Sequence, residues 1–351
     1  ENGYFGDYIF SIAKKLVEKF PDGLNFEKDN LKIKDFAERL IFVEIKKTLK
    51  NLGISFNNFF NEKNLYDENK IEEVLNELSE RGLIYEKDGA KWLQATKLNL
   101  SQDRVLVKST GEPTYRLPDI AYHKSKFERN YDMIIDVFGA DHQDAYPDVL
   151  SACQSLGFDS SKIKVLVHQF VTVLENGKPI KMSTRKANFI TLDKLIRRVG
   201  SDVVKYFFAM RGMNSHLNFD LTLAEDESDQ NPVFYIQYAH ARACNILNRA
   251  DYDEKADFNY KLLGNKEEIS ISKLILSFPD LIIKAKNHME PQLISNYLFE
   301  LASSFHHFYA KHKVISENEN LTLSRLHLVN AAKQVLNNGL DILNISRPEK
   351  M

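Results

Sequence analysis

The sequence predicts a mixed fold, α/β plus all-α. A partial Rossmann-like parallel sheet is preceded by a helical and hairpin insertion and followed by a helical bundle. Three observations carry this. Between residues 113 and 221, short apolar runs alternate with helix-period segments, the pattern of a parallel sheet. Before residue 113, helical periods give way to hairpins marked by Gly and Asp. After Asn231 the pattern is helical almost to the last residue.

Taken in order, Tyr8, Ile9, Ile12, Leu16 and Val17 fall at helix spacing, and Pro21-Asp22-Gly23 ends the run. Phe36, Leu40, Val43, Ile45 and Leu49 mark a second helix. A third spans 71–81, with Gly82 as its left-handed cap. Leu83-Ile84-Tyr85 turns through Asp88-Gly89 into Trp92-Leu93, and residues 104–107 with Thr114-Tyr115 predict another hairpin around Gly111. Residues 1–100 carry no pattern that points to chemistry.

Pro118-Asp119 opens a helix, and 132–138 reads as a buried strand. A helix over 147–156 stops at Gly157, and 164–167 is the next strand. Residues 171–174 and Asn176-Gly177 form a hairpin returning through Ile180. Thr191 caps a helix over 192–199, and Ser201 caps another. Asn231-Pro232 is an N-cap followed by proline at the first helical position. Further helices run from Pro291 and over 323–343, while 251–270, charged and weakly patterned, reads as a loop. The expected domains are 1–112, 113–221 and 222–351.

The chain has 351 residues, 43% hydrophobic, enough for two or three cored domains. Its net charge of -2 announces no nucleic-acid binder, so an RNA surface has to be a local basic face. Cys153 and Cys244 are the two cysteines, which argues for a reducing, cytoplasmic setting and against structural zinc. No apolar run is long enough to span a membrane, roughly 18 residues. Glu1-Asn2-Gly3-Tyr4 is neither a start methionine nor a signal peptide, so the chain reads as a piece of something longer.

Four constellations bear on chemistry. In Lys181-Met182-Ser183-Thr184-Arg185-Lys186, three cations and two hydroxyls follow a hairpin and precede a capped helix. A solvated basic turn is the plain alternative, but this context favours a loop that meets charge developing on a nucleotide phosphate. Gly139-Ala-Asp141-His142-Gln143 ends a strand: the glycine lets a ligand approach, Asp141 can accept from a ribose hydroxyl and His142 can flank sugar or base. Tyr115 and Asp119, four apart, pair a phenol with a carboxylate suited to a guanidinium; a capping Asp beside a core Tyr explains the local pattern as simply. Tyr238 and Arg242, also four apart, suit unpaired RNA bases, although an amphipathic bundle helix gives the same stripe. His306, His307 and His312 lack metal spacing and read as packing and surface residues.

In combination the segments are more specific. Pro113-Thr-Tyr-Arg-Leu-Pro-Asp119-Ile-Ala-Tyr-His123, then 139–143, then Lys181-Met-Ser-Thr-Arg185, then Asn231-Pro-Val-Phe-Tyr-Ile-Gln-Tyr-Ala-His-Ala-Arg242 and the closing Arg347-Pro-Glu-Lys-Met351 resemble the arginyl-tRNA synthetases of class I, in order. The resemblance implies ATP-dependent attachment of arginine to its tRNA through arginyl-adenylate, with ATP entering as its Mg²⁺ complex. It implies Tyr115, Asp119 and Gln143 for arginine. It implies Gly139, Asp141, His142 and Met182 for the nucleotide, and Lys181, Ser183 and Arg185 for the phosphates. It implies an anticodon-binding bundle with Tyr238, Arg242 and Met351 at the tRNA, in a monomer. No metal ligands are expected. The family's phosphate loop ends Lys-Ser in other class I enzymes, so Arg185 or Lys186, or a lysine outside these residues, has to supply that charge here. No His-x-Gly-His segment occurs, which implies that half of the nucleotide fold lies upstream and that these residues alone are inactive. A non-catalytic tRNA-binding paralogue is the alternative.

Overall fold

Side chains at the helix ends fix much of this architecture. In the computed structural model, which describes residues 6–180, 182 and 190–351, Thr191 accepts from the Lys194 amide, Asn231 from Val233 and Asn318 from Leu321, each opening a helix where an orphan N–H needs a partner. The chain divides into two compact units: Glu1–Ser55, Val171–Gly212 and His216–Met351 in one, Phe56–Phe170 and Met213–Ser215 in the other.

The first unit begins with α1 (Asp7–Lys19) and α2 (Asn30–Asn51), where Phe20 meets Phe36 edge-on at 6.2 Å. The second unit follows with α3 (Lys63–Asp67) and α4 (Lys70–Glu80). Gly82 then takes the left-handed conformation expected of it, with φ +65°. Strands β1 (Ile84–Lys87), β2 (Ala90–Leu93) and β3 (Arg104–Val107) form an antiparallel sheet in that order. Thr114-Tyr115 is not a returning strand. Only an isolated Val107–Pro113 bridge forms, and Tyr115 already caps α5 (Arg116–Glu128), whose first turn takes Pro118 without losing a bond.

Strand β4 (Ile134–Gly139) pairs in parallel with β5 (Ile163–His168), with α6 (Tyr146–Ser155) between them in sequence. The 132–138 run is not buried on both faces. Ile134 and Asp136 point inward, while Ile135 and Val137 are exposed. The core of this unit gathers Val74, Leu78, Leu93, Leu106, Leu117 and Ala152. Three carboxylates bind its elements: Asp148 on α6 accepts from Arg104 at 2.9 Å and Arg116 at 2.7 Å, and Glu73 and Glu77 on α4 each take Lys124 of α5 at 2.5 Å.

The first unit resumes with β6 (Val171–Glu175), β7 (Lys178–Pro179), α7 (Leu192–Val199), α8 (Ser201–Ala209), β8 (Leu217–Asp220) and α9 (Leu221–Ala224). Gly200, not Ser201, is the cap of α8. β6 pairs with β7 antiparallel and with β8 parallel. Where the sequence predicts one parallel sheet over 113–221, the described strands form two. Only Gln169 and Phe170 separate β5 from β6, and parallel neighbours need a crossover of about a dozen residues or more.

Four long helices close the first unit: α10 (Pro232–Arg249), α11 (Lys266–His288), α12 (Gln292–Lys311) and α13 (Glu319–Ile342). Ile236, Leu298, Leu301, Phe305, Phe308, Val329 and Leu336 are fully buried among them, and each contributes roughly 1.5–3 kcal/mol. Helix α11 takes only the last five residues, 266–270, of the loop expected over 251–270 and continues to His288, where the sequence predicts no element. Pro279 sits inside it, removing a hydrogen-bond donor and splitting the apolar period, which masks the helix in the sequence. Its true start is an Asn265–Glu268 capping box.

Glu268 is fully buried and takes Arg325 of α13 at 2.8 Å, while Arg325 also donates to the Lys313 carbonyl at 2.7 Å. Replacing Arg325 by Met strands a buried carboxylate. Urea unfolding of Arg325→Met is expected to show a loss of about 3–5 kcal/mol, and a loss below about 1 kcal/mol would show that water already satisfies Glu268.

Candidate functional site

Helix α5 places the first cluster. Leu117, Pro118 and Ile120 face the core, which turns Asp119 the other way. Asp119 is therefore exposed, although protein lies behind it. Burial at its back pushes its carboxyl above the usual range. The charges of His123, Lys126 and His142 oppose that, and Asp136 adds to it. Tyr115, 90% exposed at the same helix start, is no core tyrosine.

Behind Asp119 lies a buried network missed in the sequence. Asp136, inward on β4, takes His123 Nε2 at 2.8 Å and Lys126 Nζ at 2.5 Å. Burial pushes the Asp136 carboxyl up, but these two bonds more than offset it, leaving it below the ordinary range. An acidic residue inside an apolar strand, with His and Lys three apart on the preceding helix, was the available signal.

At the end of β4, the side chain of Asp141 folds over bare Gly139, where a Cβ would sit 2.5 Å from Asp141 Oδ1. His142 stacks on Phe138 at 5.9 Å and lies 3.8 Å from Asp141; Asp141, His142 and Gln143 are all exposed. Asp136 on β4 holds His123 and Lys126 of α5, so this turn ends the strand on which α5 is packed. Of the 181–186 segment expected to meet phosphates, Met182 is described and exposed, while Lys181, Ser183, Arg185 and Lys186 lie outside the described residues. Among the described residues, no three His, Cys, Asp or Glu side chains gather to hold a metal ion, and no helix is long and apolar enough to cross a membrane.

The second cluster is on the bundle. The Arg242 guanidinium lies 4.4 Å from the Tyr238 ring centre and 4.6 Å from that of Tyr309, donating to Tyr238 Oη at 2.7 Å and to His306 Nδ1 at 3.2 Å. His306 Nε2 meets the Tyr235 carbonyl at 3.2 Å, so the proton sits on Nε2 and Nδ1 accepts. Burial and then Arg242 hold this imidazole below its ordinary pKa. His306, read from sequence as packing, thus fixes the candidate cation. The closing segment is pinned to α10 by Gln237 on the Ser346 carbonyl at 3.0 Å and His240 on that of Pro348 at 3.0 Å. Met351 then lines a 520 Å³ pocket with Phe234, Tyr235 and Tyr238. Tyr238, Arg242 and Met351 are therefore brought together.

This architecture is the class I aminoacyl-tRNA synthetase fold. The arginyl-tRNA synthetase of Thermus thermophilus superposes with a TM-score of 0.74 over 97% of this chain and 70% of its own, at 19% identity. The family model described as tRNA synthetases class I (R), catalytic domain, matches residues 11–203, and the DALR anticodon binding domain model matches 236–351. The chain belongs to the class I (R) tRNA synthetase family. A putative arginyl-tRNA synthetase from Campylobacter jejuni is 32% identical, with a TM-score of 0.90 over 100% of this chain and 77% of its own. Arginine–tRNA ligases of Desulfotalea psychrophila and Salinibacter ruber are each 47% identical over 100% of this chain, which spans 64% and 63% of their lengths.

Because the folded state raises the Asp119 carboxyl, its ionised form opposes folding. Stability attributable to this group is absent at neutral pH and appears as pH falls through its folded value. Asp119→Asn is thus expected to melt higher than the parent chain at pH 7, the gap closing at acidic pH. A lower Tm at pH 7 would contradict this sign.

Proposed function

We propose that this chain carries the arginine pocket, phosphate loop and tRNA-binding bundle of an arginine–tRNA ligase. The observation that supports it most is the conjunction of the class I (R) match over 11–203 with an outward carboxylate at Asp119 beside Tyr115 and the 139–143 turn. In this reading residues 1–112 are an insertion, 113–221 belong to the catalytic domain and 222–351 bind the anticodon, in a cytoplasmic monomer.

The reaction has two steps. A carboxylate oxygen of arginine attacks the α-phosphorus of ATP, supplied as its Mg²⁺ complex, and the bond to the bridging oxygen breaks to release pyrophosphate. The 2′-hydroxyl of the tRNA terminal adenosine then attacks the arginyl carbonyl and AMP leaves. Neither step needs a covalent bond to the protein, so positioning and charge stabilisation supply the rate. Asp119 receives the guanidinium fork, with Tyr115 and Gln143 beside it. Gly139, Asp141, His142 and Met182 border the adenosine. Lys181, Ser183 and Arg185 supply the cations and hydroxyl that meet the charge growing on the phosphates, a contribution that counts mainly in the transition state. On the bundle, the exposed Tyr238 and Tyr309 rings around a fixed Arg242, with Met351 alongside, suit splayed anticodon bases.

Asp119→Asn in the complete protein, assayed by arginine-dependent ATP–pyrophosphate exchange, is expected to raise the KM for arginine about 10- to 100-fold, as loss of a charged hydrogen-bond partner does. An unchanged KM would remove Asp119 from the arginine site.

A further inference from the structure

The His123–Asp136 pair is buried more deeply than either group would be without a reason, at 4% and 6% exposure. Its geometry fixes its protons. His123 Nδ1 is 2.8 Å from the main-chain carbonyl of Asp119, which can only accept, so Nδ1 carries a hydrogen. Nε2 is 2.8 Å from Asp136 Oδ2, while Lys126 Nζ occupies Oδ1 at 2.5 Å. A carboxylate beside an ammonium is ionised and also only accepts, so Nε2 carries a hydrogen too. The ring is an imidazolium.

The charges then sum simply. Asp136 contributes one negative charge, and His123 and Lys126 one positive charge each. A buried surplus of one positive charge therefore stands directly behind Asp119. The other groups near it add little. The Cys153 thiol on α6 is pushed up by burial to about 12 and stays neutral. Lys124 of α5 is spent on Glu73 and Glu77 of α4. His142, on the turn after β4, also acts on Asp119 but is exposed. The Tyr122 ring stands edge-on to His123 at 6.4 Å. The same imidazole ties the Asp119 main chain, through its carbonyl, to strand β4.

We propose that His123 is a positioning residue: doubly protonated and locked on Asp136, it holds the Asp119 carboxylate ionised and in place for a guanidinium. The inference rests on the reading of Asp119 as the arginine-binding carboxylate. Substrate binding removes water from Asp119, which favours its neutral form, and a neutral Asp119 cannot pair with a guanidinium. The surplus positive charge behind it opposes that protonation without touching the substrate. It acts at short range through protein, where screening by salt is weak.

Two measurements test this. Nitrogen-15 spectra of the ring nitrogens in the full 351-residue chain at pH 7 need no variant; the proposal requires both His123 nitrogens protonated, and one bare nitrogen overturns it. In the complete protein, His123→Gln is expected to raise the arginine KM on the acid limb, where Asp119 titrates, by up to about tenfold for one pH unit of carboxyl shift, with a smaller fall in kcat. The acid limb of kcat/KM for arginine should move to higher pH. A folded His123→Gln protein with an unmoved acid limb and unchanged KM also overturns it. Asp119→Asn separates the two claims: if it leaves the arginine KM unchanged the reading of Asp119 itself fails, whereas a raised KM there beside a wild-type profile in His123→Gln defeats the positioning role alone.

Discussion

One buried carboxylate organises the packing of α5 on β4. Asp136 interrupts the inward face of β4, and no apolar residue there could receive both His123 and Lys126 from α5. A charge in that position is costly unless every lone pair is met, and here helix and strand meet it together. The result is a helix whose first turn is registered on the end of a strand. Asp119 and the 139–143 turn are thereby carried on two elements that this buried pairing holds together.

The bundle uses the same economy with different chemistry. Arg242 is held between two aromatic rings and His306, so its position is decided before any partner arrives. The final residues are not a loose tail: Gln237 and His240 on α10 hold the segment that ends at Met351. A preorganised aromatic and cationic face loses less side-chain freedom on binding than a flexible one. The net charge of the chain does not reveal such a face, because it sums over the whole surface, and Glu227 and Asp229 line the same pocket as Tyr238 and Met351.

Local rules were legible in the sequence. The caps at Thr191 and Asn231 and the left-handed Gly82 follow from side-chain and backbone sterics that act within four residues. Tyr238 touches Arg242 and shares a pocket with Met351. What failed to read depended on distant partners. Pro279 hides α11, because a proline inside a helix is tolerated only where packing from α12 and α13 compensates. The exposure of Asp119 depends on which face of α5 its neighbours fill. Asp136 looks like a blemish in an apolar run until the helix thirteen positions earlier is seen to supply its partners. The link between β5 and β6 gave a usable warning, since two residues cannot make a parallel crossover.

The most direct test is a crystal structure of the complete protein with arginine bound. The account predicts the guanidinium paired with the Asp119 carboxylate at about 2.7–2.9 Å, Tyr115 and Gln143 closing around it, and the His123–Asp136 bond intact behind. A guanidinium held by another carboxylate, with Asp119 facing solvent, would contradict it.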